Sequence, residues 1–352
     1  MTPDVVREPY EIFIGLDVDK RSFALTAVDG AGLKHSGKMP SDPEQLYRFI
    51  QNRYGECRVL CTYEAGPTGY HLYDYLQERG QACQVVSPLG IPKPPNQVVK
   101  NNRLDSERLA VESRKGDLTP IRVPQGSWRE LRHLAVAQAN YAQSRKLAKQ
   151  RIQALLLYAH LTGWDSSASW SHRHIQALKE VPCTPAVRCR LDLLLADLEY
   201  TRGQTLAVLK QIKEFCLRNP EIERYRQCLQ SLPGIGFITA VTILSRIGDP
   251  HQLQNVRELA AFVGLVPTEH STGDRVNRGS ITHLGNRTAR SLLIEAAWVA
   301  IRRDAELGQF YHRIKGRNHP RIAARKAIVA VARKLTTRIY CVLKEQRPYE
   351  IH

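Results

Sequence analysis

Long hydrophobic runs are missing from this 352-residue chain. Nowhere do about 18 apolar residues follow one another, which excludes a membrane-spanning helix. The opening MTPDVVREPYE lacks the charged-then-apolar pattern of a secretory leader, so a cytoplasmic or nucleoid-associated protein is expected. Paired cysteines are missing too. The eight cysteines form neither a CxxC pair nor a Cys/His cluster with zinc-like spacing, which excludes a disulfide framework and a structural zinc site and leaves reduced core thiols. There is no internal repeat and no low-complexity tract. Acidic residues run short in one part of the chain only. Residues 1–125 hold 16 Lys and Arg against 16 Asp and Glu, residues 126–352 hold 35 against 18, and residues 270–352 hold 17 against 6. The whole net charge of +17 therefore lies after residue 125, as expected for a chain that meets a polyanion, nucleic acid first.

What is present begins with Glu11–Lys20. Ile12, Phe13, Ile14 and Leu16 form a continuous apolar run suited to a strand buried on both faces, and Asp17 follows on that strand. A carboxylate there needs a cation or hydrogen-bond donors; a metal ion would serve, and so would a turn or Lys20. Phe23–Val28 suits a hairpin partner, Asp42–Tyr54 a helix, Arg58–Tyr63 a second buried strand ending at Glu64, Tyr70–Arg79 a helix and Ala82–Val86 a third strand. After a Pro-rich loop, Val98–Lys115 reads as a helix with Leu104, Leu109 and Ala110 inward. This is an α/β order. Asp17 and Glu64 stand at the carboxyl ends of two strands, where open α/β sheets bind ligands, and Asp105 stands at a helix start. Acids gathered there suit a hard divalent cation such as Mg²⁺. Taken singly, Glu64 also reads as a cap beside a Gly-rich turn and Asp105 as a partner of Arg103 or Arg108.

Residues 126–229 carry apolar residues at helical spacing, from Leu131 to Leu156 and from Leu191 through Leu206 to Phe215. They predict two long amphipathic helices, paired as an antiparallel or intermolecular coiled coil. Trp164 and Trp170 lie in the break between them and read as packing. Residues 230–352 open with Pro233-Gly234-Ile235-Gly236 between apolar helices, a helix-hairpin-helix pattern in which Gly234 and Gly236 bring backbone N–H groups to a phosphate. Thr268–Asn286 is a long, polar, glycine-punctuated loop holding Ser271, Thr272, Arg275 and Arg278, with Arg287 after it. Its serine suits a nucleophile whose arginines hold the attacked phosphate, but the residues by themselves favour a basic loop whose hydroxyls only touch phosphates. Between two helical segments, Arg313–Arg325 places Lys315, Arg317 and Arg321 for backbone contact with nucleic acid.

The motifs GLDVDK, YEAGPTGYHLYDYL, VVKNNRLDSERLA, LTPIRVP, LPGIG, AAFVGLVPTEHSTG and GSITHLGNRTARSLLIEAAW, in this order, resemble the transposases of the insertion sequence 110 family, related to Piv-type DNA invertases. The resemblance implies an RNase H-like domain of the Holliday-junction-resolvase (RuvC) type over 1–125, with a DEDD acid set around Mg²⁺, a helical coiled-coil segment over 126–229, and a C-terminal transposase domain over 230–352 with an essential serine. Carried over by motif, the acids are Asp17, Glu64 and Asp105; the third position falls on Asn102, where Lys100-Asn101-Asn102 stands for the family's Lys-Thr-Asp. An Asn offers an oxygen to a metal but no charge. The serine maps to Ser271, with Thr272 as the other claimant. The family further implies a covalent phosphoserine link to DNA, strand exchange, a structured guide RNA pairing with target and donor DNA, and a homo-oligomer, dimer or tetramer. Two other readings stand beside this one: a metal-dependent Holliday-junction-type endonuclease without a covalent intermediate, and a catalytically impaired nucleic-acid-binding element protein.

Overall fold

In the computed structural model, which describes residues 10–32, 34–92, 102–162, 164, 169–269, 278–281 and 285–350 (backbone alone at 268–269 and 278–280), the chain divides into two units, Met1–Val123 and Pro124–His352.

The first unit is built on a five-stranded mixed sheet. Its strands are β1 (Ile12–Val18), β2 (Ser22–Asp29), β3 (Lys34–Pro40), β4 (Val59–Glu64) and β5 (Cys83–Val86), in the order β3-β2-β1-β4-β5. β1 pairs antiparallel with β2 and parallel with β4, so the apolar run around Ile14 becomes the central strand. Ile14 and Leu16, both fully buried, face one side and share a core with Leu46 and Ile50 of α1 (Pro43–Tyr54) and Leu72 and Leu76 of α2 (His71–Glu78). The opposite face is covered by α3 (Asn102–Lys115). Two expectations needed correction. β3 was not foreseen, because KHSGKMP is polar and edge-placed and shows no apolar alternation; only its pairing with β2 makes it a strand. Leu104 was expected inward but is 42% exposed, since α3 turns Ser106, Leu109, Ala110 and Ser113 to the sheet.

The second unit is helical. α4 (Gly126–Tyr158) and α6 (Pro185–Arg218) run antiparallel within the chain. Trp128, Leu131 and Ala135 share a core with Ile212 and Cys216, whereas Ala148, Ile152 and Leu155 share another with Leu191, Leu195 and Leu198. Between them lies α5 (His172–Glu180), not foreseen because its apolar stripe is only Ile175 and Leu178. Trp164 and Trp170 pack against the second of these cores. Leu206, read as an inward position, is 61% exposed, because the buried stripe of α6 passes through Thr201 and Thr205 instead; each hydroxyl is satisfied by a carbonyl one turn back.

The rest of the second unit comprises α7 (Pro220–Gln230), α8 (Phe237–Ile247), α9 (Val256–Val263), α10 (Arg287–Arg303), α11 (Ala305–Gly316) and α12 (Pro320–Glu345), around a core centred on Leu244, Ala297 and Val331. The segment read as an irregular loop contains two short antiparallel strands, β6 (Pro267–Glu269) and β7 (Arg278–Ile281). No helix among the described residues is long and apolar enough to cross a membrane.

Candidate active site

One row of the sheet positions the site. Thr26 of β2, Gly15 of β1, Thr62 of β4 and Gln84 of β5 stand side by side. α3 lies across this row. The Ser106 hydroxyl is 3.0 Å from that of Thr26, the Ser113 hydroxyl is 2.9 Å from that of Thr62, and Gln84 Nε2 donates to Ser113 Oγ at 3.2 Å. The seven residues from Ser106 to Ser113 rise about 10.5 Å. The two strand spacings from β2 to β4 amount to about 9.6 Å, so the helix crosses the strands nearly at right angles. Gly15 is what allows this approach: a Cβ there would lie 2.0 Å from Ser106 O and 2.4 Å from Ala110 N.

Asp17 and Glu64 belong to the next row. The last pair of the β1–β4 ladder is Leu16 with Tyr63, so one further step sets Asp17 beside Glu64, just past that ladder, while Asp17 still pairs with Ala24 of β2 and Glu64 with Val86 of β5. Residues two apart share a face. Asp17 therefore lies on the face of Gly15, and Glu64 on that of Thr62, under α3. Adjacent strands are about 4.8 Å apart, which brings two carboxylates close enough for each to disfavour the other's charge unless a cation meets both.

The flanks of α3 decide where Asp105 goes. Glu107 pairs with Lys34, and Arg114 Nη1 donates to Gly30 O at 3.1 Å; both partners lie toward the amino-terminal end of β1. At about 100° per residue, Asp105 and Glu112 fall on the other flank, toward the row of Asp17 and Glu64, while Asn102 lies in line with the buried stripe but is exposed at the first turn of α3. Asp105 Oδ1 is 3.6 Å from Arg108 Nη1, the pairing that its sequence position also suggested. Glu112, not singled out from the sequence, shares this flank, and Lys115 Nζ holds it at 2.8 Å. Register and helix phase thus put Asp17, Glu64 and Asp105 on one side of the sheet, but their carboxylate oxygens are not gathered within 4.8 Å of one another; among the described residues the group that meets that condition is Glu221, Asp249 and His251. Hard oxygen donors of this kind fit a divalent cation of the Mg²⁺ kind. They also leave Tyr63, whose phenol burial pushes up, and Cys61, whose thiol burial raises to about 12, as neutral core groups.

The second unit holds the remaining predicted residues. Ser271, Thr272 and Arg275 lie outside the described residues. The ends of their segment are neighbours, since Glu269 of β6 pairs with Arg278 of β7. Arg287 is exposed on the first turn of α10, and Lys315, Arg317 and Arg321 are exposed around the α11–α12 junction. At the glycine turn the two glycines differ. Gly234 has φ +86° and presses on α10, where a Cβ would meet Ala296 O at 2.2 Å; Gly236, at the N-cap of α8, faces open space. A groove of about 350 Å³ runs beside the turn and includes Arg303.

Sequence reasoning also missed Glu221, Asp249 and His251, whose ligand-type atoms lie within 4.8 Å of one another. Their existing bonds make them a clasp: His251 Nε2 is 3.0 Å from the Tyr225 hydroxyl and 3.7 Å from Glu221, and Asp249 accepts the His251 N–H at 2.9 Å.

Comparison with known proteins bears on the family of the chain. The family model DEDD_Tnp_IS110, described as a transposase, matches residues 14–160, and the one described as "Transposase IS116/IS110/IS902 family" matches residues 226–312. The first spans the mixed sheet and α3, an RNase H-like fold. A putative transposase, y4qE, of Sinorhizobium fredii is 31% identical over 295 residues, covering 82% of this chain and 71% of that protein. The transposase for insertion sequence element IS1111A of Coxiella burnetii is 26% identical, over 82% of this chain and 78% of the relative. The pilin gene-inverting protein of Moraxella bovis is 30% identical over 142 residues, 40% of this chain and 43% of that protein. With both family models in chain order and a relative this similar over most of its length, the chain belongs to the IS110 family of transposases, enzymes of DNA recombination.

Proposed function

We propose that this transposase cuts and rejoins DNA through a phosphoserine intermediate formed on Ser271, with Asp17, Glu64 and Asp105 and the amide oxygen of Asn102 holding Mg²⁺. The observation that carries the metal reading is the register of β1 and β4, which sets Asp17 beside Glu64 on the face that α3 covers with Asp105 on its near flank. Bound there, the cation supplies charge neutralisation for the phosphate under attack. Ser271 Oγ attacks phosphorus, a serine–phosphate ester forms, and a sugar hydroxyl leaves. Attack by the hydroxyl of another strand returns the serine. Arg275, Arg278 and Arg287 hold the phosphate oxygens. Gly236, at the open end of the hairpin turn, presents backbone N–H groups to a neighbouring phosphate, helped by Arg303 in the same groove.

Sequence choice is delegated to an element-encoded RNA that pairs with target and donor DNA, which suits a chain of net charge +17 whose candidate contacts are to backbone phosphate. The working form is a homo-oligomer joined by a coiled coil. In support, the face of α6 opposite its buried stripe shows Leu193 (68% exposed) and Tyr200 (60%) in line with Ala196, Gly203 and Ala207, a heptad-like seam for a second copy.

The test is a denaturing gel of protein incubated with Mg²⁺, labelled element-end DNA and the flanking transcript. A protease-sensitive protein–DNA adduct, lost in Ser271→Ala and kept in Thr272→Ala, is expected. Cleavage without an adduct would overturn the phosphoserine reading in favour of a hydrolytic junction endonuclease. Asn102 favours one further reading, a copy impaired at its metal site; binding without cleavage, restored by Asn102→Asp, would establish it.

A further inference from the structure

Several cations in the second unit meet carboxylates: Lys179 meets Glu199, Arg226 meets Glu223, and Arg338 meets Asp304. α4 departs from this. From residue 131 to residue 164 there is no Asp or Glu, against five Lys and Arg. The solvated face of a paired helix ordinarily mixes both signs. Three of these cations, Arg132, Arg145 and Lys149, instead feel the charge of other cations.

They do so at two levels. Near the start of α4, which packs on α8, Arg132 is near enough to act on the charge of Arg246 of α8, whose Nε is, among the described residues, the one buried side-chain polar atom without a hydrogen-bond partner. Further along, Arg145 and Lys149 occupy positions i and i+4 and share one face. Arg202 of α6 joins them, and the Lys149 ammonium lies 5.4 Å from the Trp170 ring centre. No carboxylate pairs with any of these five among the described residues, and Glu199, three residues before Arg202, is already held by Lys179 at 3.1 Å. Burial first, then Arg145 and Arg202, hold the Lys149 amine below its usual range; burial first, then Arg132, does the same to Arg246. Like charges gathered without counter-charge destabilise the free protein, and an external anion relieves them. From Arg132 to Arg145 and Lys149 the helix rises about 20 to 25 Å, several nucleotides' worth of backbone.

We propose that α4 is a phosphate rail: the Arg132–Arg246 pair and the Arg145–Lys149–Arg202 cluster hold the sugar-phosphate backbone of a nucleic acid along the helical hairpin. Phosphate is the fitting ligand because it offers repeated charge at this span and accepts guanidinium forks side-on. RNA and DNA share that chemistry.

The experiment is a salt titration of the full chain binding a labelled single-stranded RNA and a labelled DNA duplex of equal length. It is run without Mg²⁺, so that the fate of the serine and metal reading does not enter. Wild type is compared with Arg145→Gln/Lys149→Gln/Arg202→Gln, with Arg132→Gln/Arg246→Gln, and with a control of paired cations, Lys210→Gln/Arg218→Gln/Arg347→Gln. The triple cluster variant is expected to lower the slope of log K against log salt by about 2 on RNA or about 3 on duplex DNA, well beyond the control, and to melt no lower than wild type because repulsion is relieved. Loss on one probe only assigns the rail to that nucleic acid. A slope change no larger than the control's on both probes overturns the proposal, as does a lowered melting temperature accompanied by the control's slope.

Discussion

Gly15 shows how one missing side chain positions a site. With Ser106 O only 2.0 Å from where a Cβ would stand, any larger residue must push α3 away from the sheet, and Asp105 moves with it. Gly15→Ala is expected to cost about 1–3 kcal/mol as overpacking, read by urea unfolding. It should also lower metal-dependent cleavage more than Ala substitution at Gly30, where an added Cβ meets nothing within 4 Å. The cysteines give a second test at this scale. Cys61 is fully buried, its thiol pushed up to about 12 by burial, and burial with Cys61 beside it raises Cys83 as well. Alkylation of the native protein followed by mass spectrometry should label Cys57, Cys189 and Cys341, which are exposed, and spare Cys61 and Cys83 until the chain unfolds.

At the scale of elements, the α11–α12 pair depends on one buried carboxylate. Asp304, 2% exposed, caps α11 through the Leu307 N–H at 2.9 Å, pairs with Arg338 of α12 and accepts the Tyr349 hydroxyl at 3.0 Å. Burial by itself pushes its carboxyl up, but the Leu307 N–H, Arg338 and Tyr349 together outweigh it and hold the group below its ordinary 3.8. A depressed folded-state value means stabilisation that is complete well above 3.8 and is lost as pH falls through 3.8 toward the folded value. Asp304→Ala is expected to cost about 3–5 kcal/mol near neutral pH, since it strands Arg338 and removes a cap. In urea unfolding the gap to wild type should narrow as pH is taken below that point. The rails and seams of α4 and α6 belong to this scale too: their ends are apolar, and their middle, with Thr201, Thr205, Arg145 and Arg202, is polar.

For the whole molecule, the buried residues form separate cores. The sheet core ends at Val123 and the helical core begins at Trp128, with the division between units after Val123. Met1–Val123 and Pro124–His352 produced as separate chains are each expected to melt cooperatively by calorimetry; a non-cooperative Met1–Val123 would show that the sheet needs the helical unit. Charge divides in the same place, so Pro124–His352 should keep most of the nucleic-acid affinity and nearly all of its salt dependence, while Met1–Val123 binds weakly.

The sequence by itself determined the strands that carry Asp17 and Glu64, the long helices and the concentration of positive charge, because apolar periodicity and turn residues act locally. Tertiary structure alone decided what depends on partners distant in the chain. The polar β3 is a strand only because β2 offers it a ladder. Leu104 faces out because Ser106 and Ser113 find Thr26 and Thr62. Asp105 falls on the flank of α3 away from Lys34 because α3 crosses at Gly15, and Arg132, Arg145 and Lys149 of α4 come near cations of α6 and α8 because the helices fold back. Hydrophobic pattern chooses which face of an element is buried; only packing chooses which charge stands next to which.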